Sequence, residues 1–393
     1  MAIVATRSRA PFLVVAGALF VLLLAGNLPT PLYAVYRERF GFSGAELTLI
    51  FAVYAMALIP SLLVFGQLSD RVGRKRVIAA GLCLAAVGLA LLAAAQNTAW
   101  LFVARAVQGL ALGTTVGTAA AALVELEPDG DPSRAALGAV LGQSGGSAAG
   151  PLVAGALAQW APAPRQLCYL VGLVLTLVAA AAVLRIEEPR EGGGEWRLQT
   201  PSVPREIRGP FTRAALTGAA VWAIGALFLS VVPSYAAKLL STGDLALLGA
   251  IAAVMLAMAC VAQVISLRGA TTPGRAQPLG LVLVVAGIAA LVLAFPARSL
   301  ALVLVAAVLA GTGLGFGYYG SQAEVNRLAP PERRGEVTSA FITCMYSGVV
   351  VTAVATGLIA DAISLATAVA VAGLAVAALA SATTIWHVVA RDG

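Results

Sequence analysis

The residues best able to do chemistry in this chain form a short charged run, GQLSDRVGRKR, which lies between two long apolar segments. The run contains one carboxylate, that of Asp70, among several guanidinium and ammonium groups. Carboxylates and guanidinium groups form charge-assisted hydrogen bonds, which can hold one arrangement of neighbouring helix ends and break in another. We therefore predict a reversible ionic contact in this run. Its residues are Gly66, Asp70, Arg71, Gly73, Arg74, Lys75 and Arg76.

A second candidate is Arg105, the charged residue that lies deep within an apolar segment, LFVARAVQGLALG. A charge inside a membrane-spanning helix is costly, and it usually faces an aqueous cavity or a partner. Gln108 and Gly109 follow within about one turn of the same predicted helix. We predict that Arg105 faces a cavity. The alternative is an arginine whose side chain extends to the membrane surface.

Composition indicates that membrane helices must position these residues. The chain is 60% hydrophobic and 11% charged, whereas soluble domains contain about 25% charged residues. Apolar segments of roughly 20 residues recur, each long enough to cross a hydrocarbon core about 30 Å thick. The predicted spans are 11–35, 47–68, 77–95, 99–124, 134–159, 166–184, 213–237, 245–267, 277–295, 299–323, 336–360 and 364–389.

The basic residues predict how these spans are oriented. Of the 25 Lys and Arg residues, 19 fall on the side of the N-terminus and 5 on the other, with Arg105 inside a span. Because loops rich in Lys and Arg face the cytoplasm, we predict that both termini are cytoplasmic. The expected location is a cell membrane, such as the bacterial plasma membrane. Membrane orientation thus accounts for the net charge of +7 without a nucleic-acid partner.

The charged run resembles the loop signature of the major facilitator superfamily of secondary transporters. It meets every position of the pattern G-x-x-x-D-R-x-G-R-K/R, and the segment with Arg105, Gln108 and Gly109 resembles the fourth-helix motif of the family. The resemblance implies an all-α membrane protein with 12 transmembrane helices in two six-helix bundles, related by pseudo-two-fold symmetry around a central cavity. It also implies gating by the charged run, and proton coupling and substrate contact by Arg105.

The chain divides into two halves that follow one plan. We predict a first bundle over 1–185, a cytoplasmic linker rich in charge, Gly and Pro over 186–212, and a second bundle over 213–393. A shift of 202 residues superimposes Gly109 on Gly311. Such a parallel internal repeat is what a transporter of this kind requires.

A glycine-rich stretch in the fifth predicted span carries a further resemblance. Gly146, Gly150, Pro151 and Gly155 resemble the antiporter motif of drug-exporting members, although Ala154 stands where that motif has a glycine. The resemblance favours export over import. Close packing of helices through small residues is the alternative explanation.

Polar and aromatic residues near the middle of several spans predict a mostly apolar cavity with few orienting hydrogen bonds. For each residue, helix packing is the alternative. The predicted substrate-binding set is Asn27, Tyr54, Arg105, Gln143, Trp222, Tyr318, Tyr319, Phe341, Met345 and Tyr346.

The predicted spans contain Asp and Glu only near their ends, which argues against a strong preference for cationic cargo. We expect a neutral or weakly anionic amphipathic molecule. With protons as the predicted coupling ion, our hypothesis is that Asp70 or Glu324 exchanges a proton with the cytoplasm, and that Arg105, Gln108 and Gly109 complete the coupling set. The scattered cysteines and the single histidine predict neither a metal site nor a cofactor site.

We therefore predict a proton-coupled exporter of small amphipathic molecules or drugs, which works by alternating access as a monomer in the lipid bilayer. An ion gradient must supply the energy, because the sequence has no G-x-x-x-x-G-K-[ST] phosphate loop. The alternative within transport is an importer or symporter of a small metabolite. A membrane-embedded enzyme would need convergent acids or histidines within the spans, and a non-transporting sensor should tolerate Asp70→Asn.

Overall fold

The computed structural model describes residues 8–65, 68–189, 193 and 200–392, so Gly66 of the charged run lies outside the described residues. All regular structure in these ranges is helical. The α-helices are α1 (Ala10–Asn27), α2 (Tyr33–Phe40), α3 (Gly44–Phe65), α4 (Leu68–Val72), α5 (Arg74–Ala93), α6 (Thr98–Leu126), α7 (Pro132–Val140), α8 (Gly146–Trp160), α9 (Leu167–Arg185), α10 (Arg208–Ser230), α11 (Val232–Leu240), α12 (Leu245–Leu267), α13 (Pro273–Ala297), α14 (Leu300–Leu328), α15 (Arg334–Ala362) and α16 (Leu365–Asp392).

Eleven helical stretches of the described chain are long and apolar enough to cross a membrane. The predicted span 134–159 is not among them, because α7 and α8 are each short. A π-helical turn, Leu141–Gly145, joins them into one helical stretch over 132–160, which is long enough to cross. The prediction of twelve spans is therefore confirmed.

With twelve crossings, both ends of the described chain lie on one side of the membrane. We call it the terminal side, and the opposite side the far side. Consistent with this arrangement, Arg9 before α1 lies 3.8 Å from the Asp129 carboxylate after α6. Far-side helix ends carry local signals: Asp244 accepts a hydrogen bond from Leu247 N at 3.0 Å and caps α12. Gly41 ends α2 with φ of +69°, a conformation that favours glycine.

The two bundles repeat the same tertiary hydrogen bond. In the first, the Tyr36 hydroxyl donates to the Leu92 carbonyl at 3.3 Å. In the second, the Tyr235 hydroxyl donates to the Leu291 carbonyl at 2.9 Å. Each pair is 56 residues apart, so the same tie joins corresponding helices in both halves.

Glycines at equivalent positions allow equally close helix packing in the two bundles. A Cβ atom on Gly109 would lie 2.2 Å from the carbonyl oxygen of Tyr54, and one on Gly311 would lie 2.1 Å from that of Met255. Neither position accepts a side chain unless α6 moves away from α3, or α14 from α12. The repeat predicted from the sequence, with its two bundles, is thus confirmed.

The bundles meet along two helix pairs, in which α3 packs against α15 and α8 packs against α12. Within the first bundle α5 packs against α6 and α9, and within the second α13 packs against α14 and α16. The surfaces between the two pairs enclose the central space in which the cavity lies.

Candidate functional site

The central space holds two connected chambers. The deep chamber has a volume of about 940 Å³, which includes the solvent open to it, and is lined by residues of both bundles, among them Arg105 and Trp222. The second chamber, the vestibule, has an empty volume of about 1520 Å³ including the solvent at its opening. It extends to Val124 and Asn326, near the terminal-side ends of α6 and α14. The cavity therefore opens toward the terminal side.

Arg105 is buried in the wall of the deep chamber, with 3% of its surface exposed. Its Nη1 atom donates to the Gly26 carbonyl at 2.9 Å and to the Gln108 side-chain oxygen at 2.7 Å. Gln108 in turn donates to the Ala25 carbonyl at 3.2 Å. The guanidinium carbon lies 4.6 Å from the centroid of the Tyr54 ring, a cation–π distance. The arginine therefore links α6 to α1 and α3 and does not extend to the membrane surface.

Aromatic rings from both bundles form one cluster across the deep chamber. The Trp222 ring centroid lies 5.7 Å from that of Tyr318 and 5.4 Å from that of Tyr346. The Tyr346 and Tyr54 centroids are 6.3 Å apart, which joins the cluster to the face of Arg105. Trp222 Nε1 is buried without a hydrogen-bond partner among the described residues. Together these rings make an apolar wall with an unused donor.

The structure brings most of the predicted substrate-binding residues to the cavity. Tyr319 and Met345 line the vestibule. Phe341 lines neither described chamber; it is fully buried and packs close to Gly218. The residues of the predicted set that line the deep chamber are Asn27, Tyr54, Arg105, Gln143, Trp222, Tyr318 and Tyr346.

Gln263 and Ser144 are among the polar cavity residues that escaped the sequence analysis. Gln263 of α12 donates to the Ser144 hydroxyl at 3.0 Å, so this hydrogen bond joins the two bundles at the cavity. A lone glutamine in an otherwise apolar span was the available signal. Ser144 stands beside Gln143 in the π turn Leu141–Gly145, and such turns occur frequently at functional sites.

Arg74 organises the charged run. Its Nη2 atom lies 2.8 Å from Asp70 Oδ1 and 3.2 Å from Glu125 Oε1, and its Nη1 atom also bonds the Ser69 hydroxyl. The arginine side chain is 8% exposed. Asp70, Arg74 and Glu125 all belong to the first bundle, so in this arrangement the ion pairs tie α4, α5 and α6 together.

Glu188, which follows α9, contacts Lys75 and Gly73 of the charged run. Its Oε1 atom accepts a hydrogen bond from Lys75 N at 2.9 Å. A Cβ on Gly73, whose φ is +98°, would lie 2.6 Å from Glu188 Oε2, so this position requires glycine in both conformation and space. Arg71 and Arg76 are exposed.

The predicted coupling residues do not form one cluster. Arg105 and Gln108 are hydrogen-bonded to each other, whereas Gly109 packs against α3. Asp70 pairs with Arg74 as described above, and Glu324 pairs with Arg327 one turn along α14, 2.8 Å away. Both acids lie near terminal-side helix ends, away from the deep chamber.

The glycine motif of α8 serves two interfaces. A Cβ on Gly146 would lie 2.2 Å from the Phe20 carbonyl oxygen, inside the first bundle. Gly150 likewise packs within that bundle, against α1. A Cβ on Gly155 would instead lie 2.5 Å from the Leu245 carbonyl oxygen of the second bundle. The carbonyl of Pro151 faces the second bundle as well, at Gly249.

Two side chains close the far side by capping a helix of the opposite bundle. Asp361, near the end of α15, accepts hydrogen bonds from the backbone N atoms of Gly44 at 2.7 Å and Ala45 at 2.8 Å, where α3 begins. Gln159, near the end of α8, accepts one from Leu245 N at 2.9 Å, where α12 begins. The internal repeat relates these two caps, and both must break before the far side can open.

We expect Asp361→Ala to shift the protein toward an arrangement that is open on the far side. Hydrogen bonds from a helix N-terminus to a carboxylate are charge-assisted, and losing an exposed one costs about 1.4 kcal/mol, or roughly tenfold in population. Thr30 lines the deep chamber, so the shift can be measured with a Thr30→Cys variant. An impermeant maleimide added on the far side should label this cysteine faster when the far side is open. The protein should carry no other cysteine.

Asp244→Ala provides the matched control, because that far-side aspartate caps α12 within its own bundle. It should leave the labelling of position 30 near the wild-type level. Equal labelling in the Asp361 and Asp244 variants would show that loss of a cap, and not loss of a contact between bundles, causes the effect.

The sequence model of the Major Facilitator Superfamily matches residues 15–353. This chain belongs to the Major Facilitator Superfamily. It is accordingly a multi-pass membrane transporter and not an enzyme.

Relatives of this superfamily member include drug-resistance proteins. The chain is 23% identical over 175 residues to the quinolone resistance protein NorA of Staphylococcus aureus strain Mu50 / ATCC 700699, and 24% identical to that of strain MRSA252. The match covers 44% of this chain and 44% of each relative, so it spans less than half the length of these proteins.

Solved structures share the fold of this superfamily member along almost its whole length. The nucleoside transporter NupG, as its D323A mutant, superimposes with a TM-score of 0.71 at 12% identity, over 97% of this chain and 99% of that one. A bacterial homologue of the human lysosomal transporter Spinster, in its inward-facing and occupied conformation, gives 0.74 at 16% identity, over 97% and 96%. At these identities the likeness shows the fold alone.

Proposed function

We propose that this protein exports small amphipathic molecules, neutral or weakly anionic, from bacterial cells by alternating access, and that the proton-motive force drives the export. The observation that carries the proposal is the cavity between the bundles. It has an aromatic wall around Trp222, neutral polar side chains such as Gln143 and Gln263, and one buried cation, Arg105. Such a lining suits an apolar body with a small polar head.

Alternating access requires contacts that form on one side and break on the other. In the present arrangement the far side is closed by the caps from Asp361 and Gln159, and the vestibule is open on the terminal side. The opposite arrangement would close the vestibule and release both caps. We propose that the charged run around Arg74 then forms contacts with the second bundle that latch the terminal side.

Export is favoured over import by two observations. The glycine motif of α8 has the spacing of an antiporter motif, and the relatives matched over part of the chain are quinolone resistance proteins. The excess of Lys and Arg on the terminal side supports cytoplasmic termini. The vestibule would then take cargo from the cytoplasm. A monomer is proposed as the working unit, because one chain encloses the whole cavity.

Import of a small metabolite is the second candidate, since a nucleoside transporter shares the fold. Accumulation assays separate the two by sign. A resistance screen in a host that lacks its own efflux pumps would identify candidate compounds. Cells that express the protein should accumulate less of these compounds than cells without it. Collapse of the proton-motive force should abolish the difference. Higher accumulation in the expressing cells would favour import.

Arg105→Ala is the informative variant in this assay, and it should behave like cells without the protein. Arg39→Ala is its matched control, because Arg39 is exposed on the far side. Equal export by both variants would contradict the proposal that the cargo passes through the deep chamber.

A further inference from the structure

We propose that Arg105 binds an anionic head group of the cargo, and that the negative charge of the cargo, carried out of the cell, couples export to the membrane potential. The inference rests on the proposed function and names its substrate class: organic monoanions with a flat apolar body. Four features of the described chain support it.

The first feature is the incomplete pairing of Arg105. Among the described residues no carboxylate lies within ion-pair distance of its guanidinium group. Both of its hydrogen bonds come from Nη1, while Nε is buried without a partner in the described chain. A buried charge without a counter-ion is unfavourable. A carboxylate or sulfonate supplies both the opposite charge and the acceptor oxygens that a guanidinium fork binds.

The second feature is that this positive site belongs to one bundle only. The 202-residue repeat places Ala307 and Ala310 of α14 where α6 has Arg105 and Gln108. Both alanines are buried in the second bundle. The second bundle thus packs the equivalent helix without an Arg–Gln pair, so the pair is a feature that distinguishes α6 from α14.

The third feature is the absence of acids from the cavity. The described residues that line the two chambers include no Asp, Glu, His or Lys. A proton antiporter needs a group that binds a proton in one arrangement and releases it in the other. Since the lining offers no such acid or base near neutral pH, the cargo itself is left to carry the charge.

The fourth feature is the shape of the apolar wall beside Arg105. Tyr54 lies against the guanidinium face, and the Trp222, Tyr318 and Tyr346 rings continue from it across the chamber. Flat rings favour stacked or edge-on contact with other flat rings. An aromatic acid would place its ring among them and its head group at Arg105.

The membrane potential alone can drive such an anion outward. For one charge, a tenfold concentration ratio corresponds to about 59 mV, so a cytoplasm negative by 100 mV sustains an outward ratio of about fiftyfold. No proton needs to cross in the opposite direction.

The test uses the purified full-length protein in liposomes. The probe is naphthalene-2-sulfonate, which stays ionised and therefore carries no proton. Valinomycin with a potassium gradient sets the potential, and a separate experiment sets a pH gradient at zero potential. The (2-naphthyl)trimethylammonium ion, with the same ring and the opposite charge, is the matched probe.

We expect the sulfonate to accumulate on the positive side, by about tenfold for each 59 mV, and not to respond to the pH gradient. Arg105→Gln should reduce its initial rate more than tenfold, whereas Arg39→Gln should leave it unchanged. Arg105→Lys keeps the positive charge and should retain part of the initial rate of sulfonate transport. This variant serves as a control in case Arg105→Gln fails to fold. The thermal unfolding temperature of the wild-type protein should rise when the sulfonate is added and should not change when the ammonium ion is added.

Three results would overturn the inference: movement driven by the pH gradient alone, movement of the ammonium ion in preference to the sulfonate, or no movement of the sulfonate by protein that exports compounds from cells. Each leaves the proposed export standing. Failure of the proposed function is a separate result, namely no difference in accumulation between cells with and without the protein.

Discussion

Replacement of Gly249 by leucine is expected to hold the transporter in an arrangement that is open on the far side, and to reduce transport more than tenfold. A Cβ at this position would lie 2.3 Å from the carbonyl oxygen of Pro151 and 3.2 Å from the Cα atom of Gly155, both in the opposite bundle. Overpacking of this kind costs about 1–3 kcal/mol. Each 1.4 kcal/mol shifts a two-state ratio by about tenfold, so the ratio of closed to open far side should fall by roughly 5- to 150-fold.

Cysteine labelling measures this shift directly. In the Gly249→Leu protein, a cysteine at position 30 should react faster from the far side, and one at the vestibule position 326 more slowly from the terminal side. Gly243→Leu is the matched control, because a Cβ on Gly243 meets open space. Wild-type labelling of a folded Gly249→Leu protein would contradict the role given to the α8–α12 contact.

The same substitution inside a bundle should act differently. A Cβ on Gly109 would clash with α3 of its own bundle, at the Tyr54 carbonyl. Gly109→Leu should therefore lower the yield of folded protein and not change which side is open. The contrast separates glycines that permit folding from glycines that permit closure.

Arg74→Gln is expected to be the most damaging change in the charged run. It leaves the carboxylates of Asp70 and Glu125 next to each other without their shared cation. Removing one partner of a fully buried ion pair costs 3–5 kcal/mol. Because the two carboxylates are 38% and 23% exposed, solvent reduces the loss to roughly 2 kcal/mol. We expect a thermal unfolding temperature lower by several degrees, together with impaired transport.

Arg76→Gln tests whether charge alone matters in the run. Arg76 belongs to the same charged run, and its substitution removes the same charge, but its side chain is exposed. The free energy of unfolding of the Arg76→Gln protein should match that of the wild-type protein within about 0.5 kcal/mol. Equal destabilisation by the two variants would mean that the run acts through its total charge and not through the pairs made by Arg74.

The architecture could be predicted from sequence because membrane-spanning helices are determined by local composition. Span length follows from the composition of each segment, and the repeat follows from matching glycines such as Gly109 and Gly311; both expectations agree with the structure. The interruption of the fifth span escaped prediction. A π turn leaves hydropathy unchanged, so the sequence around Gln143 reads as one continuous helix.

The candidate site was predictable only in part. Residue type and depth identified Arg105 and most of the aromatic wall. On the far side, Asp361 accepts a hydrogen bond from Gly44, which is 317 residues away along the chain. No local sequence pattern predicts such a pair. Phe341 shows the converse case, since its type and depth suit a cavity but its helix turns it toward Gly218.

The two far-side caps are related by the repeat but differ in chemistry, and this inequality has a mechanical consequence. Asp361 holds α3 with a carboxylate that accepts two backbone hydrogen bonds, whereas Gln159 holds α12 with a neutral amide that accepts one. Charge-assisted hydrogen bonds are about twice as strong as neutral ones. By these caps the α8–α12 contact is held less strongly than the α3–α15 contact, and we expect it to separate first, so that the far-side opening is asymmetric at first.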